Sequence, residues 1–157
     1  MPCFVRVRSI RTSNLQTHLN MKSIKLVKSV AYAYSTQLEG SVLIANRAVR
    51  IPSNILWHSI CVKDHPSMVS STKTEDKNKV VTTTLKFLTP DDLNIKRCHL
   101  VFKVTLTDDR QFLVGSSERP YPSVEITETC PDAVKENQLN EVVVTYKSLA
   151  IPPYIKV

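Results

Sequence analysis

Glycine is nearly missing: the 157 residues hold only two, Gly40 and Gly115. Neither a GxGxxG turn nor a GxxxxGK[ST] loop can be written with two isolated glycines, so nucleotide binding by those phosphate cradles is excluded. No hydrophobic run approaches the roughly 18 residues that a membrane span needs, and no membrane partner is expected. The N-terminal MPCFVRVRSIRTSN has no unbroken apolar stretch, which argues against a secretory signal. The four cysteines, Cys3, Cys61, Cys98 and Cys130, form no CxxC pair and have no histidine at ligand spacing. Reduced, mostly buried thiols are therefore expected, with neither a zinc knuckle nor a disulfide scaffold.

Catalytic groups are equally sparse. The four histidines, His18, His58, His65 and His99, are scattered, and a metal centre would have to gather them from distant strands. Cys61 lies three residues from His58, an odd spacing that puts the two side chains on opposite faces of a strand and denies the hydrogen bond a nucleophile needs. The acidic pairs Asp91-Asp92 and Asp108-Asp109 read as turns, where Asp bonds nearby backbone amides. No enzyme, cofactor, metal or small-molecule substrate is expected.

What is present is alternation. In Arg97–Thr129, Leu100, Phe102, Val104 and Leu106 point one way while His99, Val101, Lys103 and Thr105 point the other. Asp108-Asp109 turns the chain, 111–114 returns it, and Glu118-Arg119-Pro120-Tyr121-Pro122 makes a stiff corner before Val124 and Ile126 resume the pattern. Elsewhere FVRVRSI (4–10), 23–35 with a bulge near its middle, 41–52, 55–62, 79–88 and 141–148 read as strands, and 13–20 as one helical turn. Phe87, Phe102, Phe112 and Tyr146 fall at inward positions. The expectation is one all-β domain over 1–157, or β-rich with one short helix, folded as a β-barrel or β-sandwich. Around it are placed a basic N-terminal arm (about 1–22), a mobile loop at 64–78 and an extended C-terminal tail at 149–157.

Charge is uneven. The formal net charge is +7, and Arg6, Arg8, Arg11, Lys22, Lys25 and Lys28 all precede the first acid, Glu39. Such an arm attracts phosphates or an acidic protein surface, and a charged strand edge is the plainer reading. Tyr32 and Tyr34 beside Lys25 and Lys28 would form a nucleic-acid face.

The run FKVTLTDDRQFLVGSSERPYPSVEITETCPD followed by EVVVTYKS resembles a pattern in small proteins encoded among virion genes of tailed phages and prophages of Bacteroidetes. There a strand, a (T/S)DGR-like turn, an ERP(Y/F)P corner and a final VTxxS strand recur. The resemblance spans Val101 to Ser148, and Asp109 stands where a glycine is expected. It implies a non-enzymatic structural subunit of the head-tail connector or tail, assembled as a homo-oligomeric ring with other virion proteins, made in the bacterial host cytoplasm and located in the virion, with nonspecific DNA contact as an option. Candidate interface residues are Arg6, Arg8, Arg11, Glu118, Arg119, Tyr121 and Tyr154. The alternative is a single-stranded nucleic-acid-binding β-barrel using Lys22, Lys25, Lys28, Tyr32 and Tyr34.

Overall fold

β-branched and aromatic side chains at every second position dictate what forms here. The computed structural model describes residues 26–45, 47–93, 99–129 and 138–156. In chain order the strands are β1 Val27–Tyr34, β2 Val42–Ala45, β3 Ala48–Arg50, β4 His58–Ile60, β5 Lys63–Glu75, β6 Asn78–Thr89, β7 Leu100–Leu106, β8 Gln111–Val114, β9 Ser123–Glu128, β10 Asn140–Ser148 and β11 Tyr154–Ile155, with one 3-10 turn at Ser35–Leu38. They make a seven-stranded sheet in the order β2-β3-β11-β8-β7-β1-β4 and a four-stranded sheet in the order β5-β6-β10-β9. Neither sheet closes on itself, so the architecture is a β-sandwich and not a barrel. Every pairing is antiparallel except β11 with β3.

The main core fills the space between the sheets. Leu100, Phe102, Val104 and Leu106 from β7 meet Leu85 and Phe87 from β6 and Val142, Val144 and Tyr146 from β10. Phe102 is fully buried, which removes enough apolar surface to stabilise the fold by about 2–3 kcal/mol. A smaller cluster covers the outer face of the seven-stranded sheet: Ala33, Leu38, Val49, Val101, Leu113 and Ile155, with Ile51, Ile55 and Trp57 laid over them. β7 thus buries both faces, and its two rows are those the alternation assigns.

The bulge expected near Lys28 is present. The β1–β7 register shifts between Val27 and Ser29, and this extra residue lets Val27 and Val30, three apart, reach the same core. Asp109 takes the left-handed conformation (φ 61°) that glycine would otherwise supply. Its turn closes when Leu106 N–H donates to the Arg110 carbonyl at 2.9 Å.

Several expectations give way. The polar stretch 64–78 is no mobile loop: it is β5 and the turn into β6, paired in unbroken register from Ser67↔Lys86 to Glu75↔Asn78. Its hydrophobicity is low because β5 is an edge strand, largely exposed along its length, so backbone hydrogen bonds and not apolar burial define it. Asp76 and Lys77, both with positive φ, form the tight turn. The segment 55–62 contains only the three-residue β4, because Ile55 and Trp57 leave the sheet to cover its outer face. The stretch 41–52 is two short paired strands, not one. The extended tail, by contrast, packs on its own domain, the simpler of its two expected placements: β11 inserts between β3 and β8 of the chain's own sheet. Cys61 is exposed rather than buried. The N-terminal arm, the 4–10 strand, the 13–20 turn and the other three cysteines lie outside the described residues.

Candidate interaction surface

The corner after β8 carries the chain from one sheet to the other. Gly115 (φ 124°) sits so close to its neighbours that a Cβ there would lie 2.7 Å from Val101 Cγ1 and 3.0 Å from Pro122 Cγ. Beyond it, Arg119-Pro120 is a cis peptide, and Tyr121 stacks flat on His99 with ring centroids 3.8 Å apart. Glu118 and Arg119 are exposed, and neither forms an ion pair among the described residues. Two prolines and a stacked ring, not a charge pair, hold this corner.

The residues of the nucleic-acid alternative are differently engaged. Lys28 Nζ lies 3.0 Å from Asp109 Oδ1. Tyr32 stacks on His58 at 5.1 Å and meets Tyr34 edge-on at 6.5 Å, with both tyrosines resting against the main core. Arg6, Arg8, Arg11, Lys22 and Lys25 fall outside the described residues. Tyr154 lies in β11 beside β3, on another part of the sheet from the Tyr121 corner. The described candidates therefore fall into separate groups, the Tyr32–Tyr34 pair, the Glu118–Tyr121 corner, Lys28 and Tyr154, which do not form one site.

The polar groups that do converge are structural. Thr89 Oγ1 donates to the Cys61 carbonyl at 2.6 Å and accepts from Asp91 N–H at 3.0 Å, while Asp91 Oδ2 accepts from Cys61 N–H at 2.8 Å. This ties the end of β6 to the β4–β5 link, so Asp91 caps an amide thirty positions away in sequence. Asn140 Nδ2 adds a bond to Asp92 at 3.2 Å. On the outer face, Lys103 Nζ sits 4.8 Å from the Trp57 ring, and burial lowers its pKa from the ordinary lysine value. Burial pushes the Tyr146 hydroxyl up. Among the described residues no three His, Cys, Asp or Glu side chains stand close enough to hold a metal ion, and no helix is long and apolar enough to cross a membrane.

What the residue patterns miss is that β2 lies open. It is an edge strand whose Val42, Leu43 and Ile44 are 58, 63 and 42 % exposed. Beside it a cleft of ≈ 310 Å³ opens between Leu43, Val49, Leu113 and the tail residues Ile151, Pro152 and Pro153. Leu149 and Ile151, both exposed, extend the apolar surface. The signal in the sequence is that Val42–Ala45 has no polar residue at either parity, which in a strand means two faces awaiting cover. Scans against protein-family models, curated proteins and solved structures return no match for this chain, so the resemblance over Val101–Ser148 rests on the residues quoted for it alone.

Proposed function

We propose that this chain is a non-enzymatic structural subunit of a tailed-phage virion, at the neck or tail, working by joining strand edges to copies of itself and to neighbouring virion proteins. The observation that carries the reading is the β2 edge: three consecutive large apolar side chains facing water beside an apolar cleft. Edges of this kind promote pairing with another chain, and natural monomers blunt them with charge or proline. The exposed Glu118, Arg119 and Pro120 of the ERPYP corner and the resemblance around it agree with work done on the outside of a rigid shell. Measured on purified protein, native mass spectra should show ring-sized assemblies, with little affinity for oligonucleotides. A monomer at every concentration, joined to tight oligonucleotide binding that weakens steeply with salt, would replace this reading by the nucleic-acid alternative.

A further inference from the structure

Among the described residues the sandwich has four strand edges without a partner strand, two in each sheet, and they are treated unequally. β4 is three residues long and holds a buried Ile60. β5 is blunted by Pro66, by a register shift between Lys63 and Ser67, and by charges of both signs at Lys63, Asp64, Lys73 and Glu75. β2 carries neither charge nor proline. β9, the fourth edge, is acidic: Glu125 and Glu128 are exposed, and no lysine or arginine occurs from Ser123 to Thr129. Its Val124 and Ile126 are only partly buried against the main core, on a row that a further strand would cover.

The surroundings of β2 have the opposite charge. Arg47 and Arg50 are exposed and form no ion pair among the described residues, while Glu39 is the sole carboxylate between Ser35 and Ile60. Pairing β2 with the β2 of another copy would set two basic rims together, and pairing β9 with β9 would set two acidic ones together. We propose that β2 of one copy adds to β9 of the next, joining the seven-stranded sheet of one sandwich to the four-stranded sheet of its neighbour. This deepens the structural-subunit reading and rests on it.

Side-chain rows support the match. Leu43 lies opposite Val49, on the outer face of the seven-stranded sheet, and Val42 lies opposite Arg50, so the added strand would set that outer face level with the core-facing row of β9. A register that continues Leu43 into Val124 or Ile126 leaves Val42 and Arg50 on the face of Glu125. β3 and the added β9 would be about 10 Å apart, two strand spacings, which an arginine and a glutamate span together. Because the two edges differ, the contact is heterologous and does not stop at two copies: it closes as a ring or runs on as a filament.

The test is native mass spectrometry and sedimentation of the full chain over a range of concentrations. Unmodified protein should form assemblies larger than a dimer. R47E with R50E should weaken assembly roughly tenfold or more, and adding E125K and E128K to that chain should restore it, since both charges are then reversed. Circular dichroism checks that each variant folds. If a variant does not, the unmodified protein decides: its assembly should weaken at about 1 M salt, where charges are screened beyond ~3 Å. Assembly that ends at dimers, ignores the charge reversals or resists salt overturns the β2–β9 pairing and leaves the structural-subunit reading standing. Protein that stays monomeric throughout takes down both.

Discussion

Replacing Gly115 with alanine tests whether the corner between the sheets is held as tightly as its geometry requires. A φ of 124° lies where side chains are rarely tolerated, a strain of about 1–3 kcal/mol. The new methyl would also sit 2.7 Å from Val101 Cγ1, and Val101 is fully buried on β7, flanked by strands on either side. Forcing a methylene-sized group into such packing costs about 1–3 kcal/mol more. With a urea slope of about 1–3 kcal/mol per molar, the unfolding midpoint of G115A should fall by on the order of 1–2 M. Gly40→Ala is the control, because Gly40 (φ 86°) has nothing within 4 Å of the added Cβ and bears the backbone term alone. Adding V101A to G115A should recover part of the loss as a coupling energy, isolating the steric share. If G115A costs no more than G40A, the close approach of corner and sheet is not what fixes this glycine.

Three further outcomes follow from the same packing. Phe102→Ala, at the centre of the main core, should cost about 3–5 kcal/mol in urea unfolding. Ser70→Ala removes the 2.9 Å hydroxyl partner of fully buried Thr83, so it should destabilise by about 1–3 kcal/mol, and S70A with T83V should cost less than S70A alone. Burial raises the Tyr146 pKa above 10.0, so its contribution is complete below pH 10 and is lost as pH rises through the folded-state value. Urea midpoints should therefore fall more steeply above pH 10 in the unmodified protein than in Tyr146→Phe. Taking the difference between the two cancels the opposite effect of Lys103, whose lowered value makes stability rise as pH climbs toward 10.5.

Legibility followed burial. β7, β10 and most of β6 could be read from the sequence because one row of each meets the main core, which forces alternation on the residues. The bulge in β1 was legible from Lys28 breaking the even apolar row, although the register shift puts Val27 and not Leu26 into the core beside Val30. β5 was not, because an edge strand exposed on both sides needs no apolar row; its order comes from β6, which a local reading cannot supply. β11 is two residues long and owes its conformation to partners at Ala48 and Phe112. Of the candidate site, the rigid corner at Tyr121 could be read from its prolines. The open β2 edge could not, since the sequence does not say which strand lies outermost.

The placement of β11 makes the β2–β3 hairpin hostage to distant chain. Among the described residues β3 pairs only with β2 and β11, so Tyr154 N–H to the Arg47 carbonyl, Lys156 N–H to the Val49 carbonyl and the packing of Val49 against Leu113 and Ile155 fasten that hairpin to the rest of the seven-stranded sheet. Those rungs join positions over a hundred residues apart, a contact made late in folding and released early in local opening. A protease nick between Leu149 and Pro153 would therefore weaken the hairpin's hold on the sheet, leaving it the packing of Val49, while the space between the sheets stayed sealed. Such clipped molecules would melt much like intact ones and yet lose the ordered β2 edge on which the proposed assembly rests.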